Sequence, residues 1–127
     1  GFGHFFVYAP KKLKYPINRY SMEVKRQLSV LDNRLADCEF ISGSTYSIAD
    51  MAIWPWYGRL ALGRQYGKKA GKFLNVSEYT NVARWATEIE ARAAVKRGEM
   101  VNRTSGDPAS QLRERHSKED FKLKTEN

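Results

Sequence analysis

A single cysteine, Cys38, stands among the 127 residues. No intrachain disulfide can staple the fold, which suits a reducing, cytoplasmic setting. There are two histidines, His4 and His116, far apart in the chain. Neither belongs to an H-x-x-x-H pair, and no C-x-x-C exists, so a resident zinc or iron ion is not expected. A nucleophile-elbow serine turn and a recognisable Ser/His/acid arrangement are both missing, which argues against a self-contained hydrolase. No glycine-rich phosphate loop precedes a Lys-Ser or Lys-Thr pair. Gly1 and Gly3 begin a G-x-G that close helix packing explains as well. Zinc fingers, RNP segments and basic heptads are absent too, so nucleic acid is not the expected partner. Apolar runs stay well short of the roughly 20 residues that span a bilayer, and no membrane partner is expected. The opening Gly1-Phe2-Gly3-His4-Phe5-Phe6 has neither a basic start nor a cleavage pattern, so it is not read as a secretory signal.

Apolar residues make up 42% of the chain and charged residues 28%, the balance of a globular domain. The chain is long enough to bury one core. Phe2, Phe5, Phe6 and Tyr8 crowd the start, where an exposed terminus gains nothing from aromatics. The chain therefore reads as part of a longer protein that lacks an upstream domain. Its net charge of +8 is spread along the sequence, with a local concentration at Arg92, Lys96, Arg97 and Arg103. A solvated basic surface accounts for this more simply than a nucleic-acid groove does.

Helical periodicity dominates. Residues 1–9 read as the end of a helix stopped by Pro10, and Lys11-Lys12-Leu13-Lys14 as a solvated loop. Pro16 suits a first helical turn. Ile17, Tyr20, Val24, Leu28, Leu31 and Leu35 then recur in steps of three and four, which predicts an amphipathic helix ending near Asp37-Cys38. Gly67 to Gly71 reads as a basic loop, followed by a return of Phe73-Leu74 to the core. A helix starting at Ser77 or Tyr79 turns Val82, Trp85, Ala86 and Ile89 inward, and a short helix covers Ala93 to Val101. Alternating strand patterns and internal repeats are missing. The expected fold class is all-α.

The central element is Ser47-Ile48-Ala49-Asp50-Met51-Ala52-Ile53-Trp54-Pro55-Trp56. Ser47 and Asp50 have the spacing of a capping box: the serine hydroxyl accepts from a helix-start N–H, and the carboxylate reaches back to the Ser47 N–H. Tyr46 and Met51 stand where a hydrophobic staple would put them. The helix carries few charges, which predicts burial on most sides, with Trp54, Trp56 and Trp85 facing inward. Pro55 lies too deep for the first turn, so a kink or a widened turn is expected there. Ser47 and Asp50 are structural rather than catalytic, and no catalytic residue is assigned in this chain. Arg19 reads by position as a surface residue whose planar fork would suit a carboxylate.

The Ser47–Tyr57 run resembles the helical C-terminal domain of bacterial glutathione transferases. Within that family it is most similar to the YghU-type glutathione-dependent disulfide-bond oxidoreductases. Gly1 through Phe5, Ile17-Asn18-Arg19-Tyr20, Ala94 through Gly98, Val101-Asn102-Arg103-Thr104 and Arg113-Glu114-Arg115-His116 carry the same resemblance. It implies a helical bundle over residues 1–127, with 105–127 as a tail or packing arm. It implies a thioredoxin-like domain before Gly1, glutathione as cosubstrate, a disulfide or electrophile substrate, and a homodimer. By the same resemblance Arg19 contacts glutathione, and Cys38 is inert. The family commonly has Arg-Pro-Ala where this chain has Arg92-Ala93-Ala94. A non-catalytic helical module that binds protein or RNA-linked partners is the alternative.

Overall fold

The computed structural model describes residues 1–104 and 106–112. The tail beyond Leu112, including Arg113 to His116, lies outside the described residues. Among the described residues, six α-helices and several tighter or wider turns make up the fold. Among the described residues β-pairing is limited to two isolated bridges, Phe40 with Gly43 and Val101 with Leu112. The all-α expectation holds.

The chain divides into two compact units, Gly1–Thr87 and a second one from Glu88 onward. The first unit opens with a π-helical turn, His4–Tyr8, which ends as Ala9 turns extended before Pro10. Helix α1, Lys14–Ala36, follows, with Pro16 in its first turn and Leu28, Leu31 and Leu35 buried. After the Phe40–Gly43 turn comes one continuous helical rod: α2 (Ile48–Ile53), a π-helical turn (Trp54–Gly58) and α3 (Arg59–Ala61). The widened turn expected at Pro55 is therefore present. A proline in a helix cannot donate an N–H, and the π-turn accommodates that loss.

Helix α4, Gly67–Leu74, occupies the stretch expected to be a basic loop. Its two glycines and three lysines hid it, but Ala70, Gly71 and Leu74 are buried on one side. A Cβ on Gly71 would lie 3.3 Å from Val76 and 3.7 Å from the Gly63 backbone, so glycine permits the close approach. Left-handed Tyr66 and Asn75 bracket the helix. Phe73 is 42% exposed, so only Leu74 of that pair returns to the core.

Helix α5, Thr80–Glu90, starts after a 3-10 turn at Val76–Glu78. Val82, Trp85, Ala86 and Ile89 are fully buried, as the periodicity requires. Its first amides have a partner from another helix: Asp32 on α1 accepts from the N–H of Asn81 at 2.9 Å and of Val82 at 3.0 Å. Arg84 on α5 returns the favour to α1, donating to the carbonyls of Leu35, Cys38 and Glu39. A carboxylate at a helix N-terminus and a guanidinium at a C-terminus both match the helix dipole. In the second unit, α6 (Ala93–Gly98) is shorter than expected and leads to a 3-10 turn at Pro108–Ser110.

Candidate functional site

The Ser47 cap forms as its spacing demands. The Ala49 N–H donates to Ser47 Oγ at 3.3 Å, and the Ser47 N–H donates to Asp50 Oδ2 at 2.8 Å. Asp50 does more than cap. Its Oδ1 also accepts the Ile41 N–H at 3.0 Å and the Trp85 indole N–H at 2.8 Å. Burial pushes its pKa up, but the bonds from Ile41, Trp85 and Ser47 outweigh burial and hold it below the usual carboxylate value. Asp50 is fully buried and spends its acceptors on the fold. The capping box expected at Ser47 and Asp50 is present in the fold.

The rod is buried along one stripe only. Asp50, Trp54, Gly58 and Leu60 face inward. Trp54 donates its indole N–H to the Ala86 carbonyl at 3.0 Å. Ile48 is 82% exposed and Trp56 64%, which corrects the expectation that the helix is buried on most sides and that Trp56 faces inward. Residues two apart on a helix point to opposite sides, so with Trp54 inward Trp56 faces out. The expected staple is also absent in that form: Met51 is exposed, and the Tyr46 ring meets Phe40 edge-on at 5.8 Å.

Arg19 lies in the second turn of α1, exposed to solvent. One turn on, Glu23 receives two bonds from Arg26, at 2.7 and 2.9 Å, and one from Gln27 at 2.7 Å. The Arg26 bond, then the Gln27 bond, outweigh burial and, with the charges of Arg26 and Arg19, lower the Glu23 pKa to about 2. Gln27 in turn accepts from the Tyr57 hydroxyl on the π-turn. Burial, then the Glu23 charge, raises the Tyr57 pKa, so the phenol stays a neutral donor. This Arg26–Glu23–Gln27–Tyr57 chain joins α1 to the rod. Its helical half was legible as i, i+3 and i, i+4 spacing, but its Tyr57 end was not.

Two cavities flank Tyr57. One, of about 310 Å³, is mostly apolar and is walled by α1 residues Val30 and Leu31, with Ile41 and Ile53. The other, of about 180 Å³, has Gly1 and Gly3 on one side and Trp56 and Tyr66 on the other. A Cβ on Gly1 would lie 2.4 Å from the Tyr20 ring, and one on Gly3 would lie 2.4 Å from the Tyr66 ring. Close packing, rather than phosphate binding, thus explains the G-x-G. Arg19 lines neither cavity; its neighbour Tyr20 walls off Gly1. No cluster of three metal-ligating side chains exists among the described residues.

With the fold in place, the comparisons carry a clear result. The family model for the glutathione S-transferase C-terminal domain matches residues 17–88, more than half of the chain. The chain belongs to this family. Its match to the disulfide-bond oxidoreductase YghU of Escherichia coli (strain K12) is 54% identical over 126 residues, covering 99% of this chain and 43% of that protein. The disulfide-bond oxidoreductase YfcG of the same organism is 34% identical over 91 residues, covering 72% and 38%. A crystal structure of glutathione transferase YghU from Streptococcus pneumoniae ATCC 700669, complexed with glutathione, superposes with a TM-score of 0.78. It is 57% identical and covers 82% of this chain and 40% of that one. The transferase resemblance is borne out, and the chain spans about two fifths of the length of these relatives.

Proposed function

We propose that this chain is the helical half of a glutathione-dependent disulfide-bond reductase. The observation that carries the reading is the 54% identity to a disulfide-bond oxidoreductase over 126 residues. A glutathione-complexed neighbour at 57% identity supports it. In this reading a thioredoxin-like domain completes the cleft, the whole protein is a dimer, and Arg19 pairs with a glutathione carboxylate. Arg19 is suited to that task because it is exposed near the start of α1 and its planar fork matches a carboxylate.

The chemistry is thiol–disulfide exchange. A glutathione thiolate attacks one sulfur of the substrate disulfide, forms a mixed disulfide, and expels the other sulfur as a thiolate that takes up a proton. A second glutathione thiolate attacks the mixed disulfide, releasing the second substrate thiol and leaving glutathione disulfide. Two electrons pass from two glutathiones to one disulfide. Cys38 has no part in this scheme.

The test uses a protein extended to include the upstream domain, assayed with 2-hydroxyethyl disulfide and glutathione. Activity is expected, and Arg19→Ala should weaken glutathione binding with the melting temperature nearly unchanged. Unaltered affinity would remove Arg19 from the site. An extended protein that binds RNA in a salt-sensitive way and does not bind glutathione would favour the interaction-module alternative.

A further inference from the structure

Two stretches of the chain that lack acids carry nine basic residues between them. Residues 1–22 contain Lys11, Lys12, Lys14 and Arg19 and no acid, and residues 51–77 contain five further basic residues and no acid. The fold packs these two stretches together. Phe6 meets Phe73 on α4 at 4.8 Å between ring centroids, and Phe2 meets the same ring at 6.3 Å. Lys69, one turn before Phe73, shares its face. The loop after the first π-turn is tethered to this end as well: Lys12 Nζ donates to the carbonyls of Phe6 at 3.1 Å and Val7 at 2.9 Å.

That loop and the start of α1 read Lys11-Lys12-Leu13-Lys14-Tyr15. Leu13 is 53% exposed and Tyr15 80%, between lysines that are themselves exposed. Tyr8 and Phe73 add aromatic surface beside it. Lysines interleaved with exposed Leu and Tyr, in stretches that contain no carboxylate, match the chemistry of a bilayer interface. The ammonium groups meet anionic headgroups, and the apolar side chains enter the headgroup–acyl boundary. A nucleic acid would use the cations but would gain little from Leu13.

We propose that the Lys11–Tyr15 segment, the loop and first residues of α1, and the Lys69–Phe73 face of α4 form a docking surface for an anionic lipid bilayer. This departs from the expectation of no membrane partner, which rested on spanning segments. No helix among the described residues is long and apolar enough to cross a membrane, and surface contact needs none.

Co-sedimentation with unilamellar vesicles tests the proposal, using phosphatidylcholine alone and phosphatidylcholine mixed with phosphatidylglycerol. The protein should bind only the mixed vesicles, and added salt should release it. The Lys11→Glu/Lys14→Glu/Lys69→Glu variant should weaken binding on the order of a hundredfold or more, at about fivefold for each lysine lost. Leu13→Ser/Tyr15→Ser should weaken it by about tenfold or more. All five positions are exposed, and circular dichroism melting should be unchanged. Absence of vesicle binding would overturn the proposal. So would equal binding to neutral vesicles, or binding to polyuridylate RNA alone that the Leu13→Ser/Tyr15→Ser variant leaves intact.

Discussion

Trp85 donates its indole N–H to the carboxylate of Asp50 at 2.8 Å, and both side chains are fully buried. The bond links the start of the central rod to the middle of α5. Ile41, in the turn before the rod, donates to the same oxygen. One carboxylate therefore fixes three segments.

Asp50→Ala should destabilise the fold by about 3 kcal/mol or more, well beyond the roughly 1 kcal/mol of a simple helix cap. The excess comes from the buried Trp85 and Ile41 donors left without an acceptor. Asp50→Asn keeps one acceptor oxygen but turns an amide toward the Ser47 N–H, and should cost about half as much. Urea midpoints decide this: a loss no larger than that of Ser47→Ala would reduce Asp50 to a local cap.

Acid should act through the same group. Asp50 and Glu23 both have lowered pKa values in the folded protein. Their stabilising contribution is complete above the unfolded carboxylate values of about 4 and is lost as the pH falls. For Glu23 the loss extends from the ordinary value of 4.5 down to about 2. Stability should therefore drop between about pH 5 and pH 2, and Asp50→Asn should flatten that profile. A midpoint of Asp50→Asn that follows the parent's pH slope would show that other carboxylates carry the acid response.

Asp32 and Arg84 lend themselves to a parallel test. Asp32→Ala leaves the first amides of α5 uncapped and should cost about 1–2 kcal/mol. Arg84→Ala exposes three carbonyls at the end of α1 and should cost about 1 kcal/mol. Each acts on a different helix end, so the double variant should be nearly additive. Strong coupling between them would mean that the two ends open together.

Glycine positions separate packing from flexibility. A Cβ on Gly58 would lie 2.4 Å from the Trp54 ring, which burial and its bond to Ala86 hold in place. Gly58→Ala should cost about 1–3 kcal/mol. At Gly98, in α6, a Cβ meets nothing within 4 Å. Gly98→Ala should stabilise by up to about 1 kcal/mol through helix propensity. Thermal melts of the two variants should move in opposite directions.

What could be read from the sequence was what helical periodicity controls. The three-and-four spacing placed α1 and the inner face of α5, and the Ser47–Asp50 spacing placed the cap. Pro55 announced the widened turn. The misses have a common cause, since each depends on contacts across the chain. Asp32 sits mid-helix with nothing local to mark it as the cap of α5. Gly71 reads as a breaker until Val76 and Gly63 are seen against it. Tyr57 has nothing local to mark its role until Gln27 is seen to accept from its hydroxyl. Arg19, the functional candidate, came from the family resemblance rather than from spacing, because an exposed arginine leaves no periodic signature.

Trp56 offers the most direct check on which side of the rod faces solvent. Trp54 and Trp85 are buried, and Trp56 is 64% exposed. The three tryptophans should therefore separate in fluorescence. Iodide should quench one component with red-shifted emission and leave the others almost untouched. Trp56→Phe should remove that component and change stability by less than about 0.5 kcal/mol, as for a surface substitution. Trp54→Phe, in contrast, loses a buried bond to the Ala86 carbonyl and should cost about 1–3 kcal/mol. If iodide quenches nothing in the isolated chain, Trp56 is covered and the rod does not present that side to solvent.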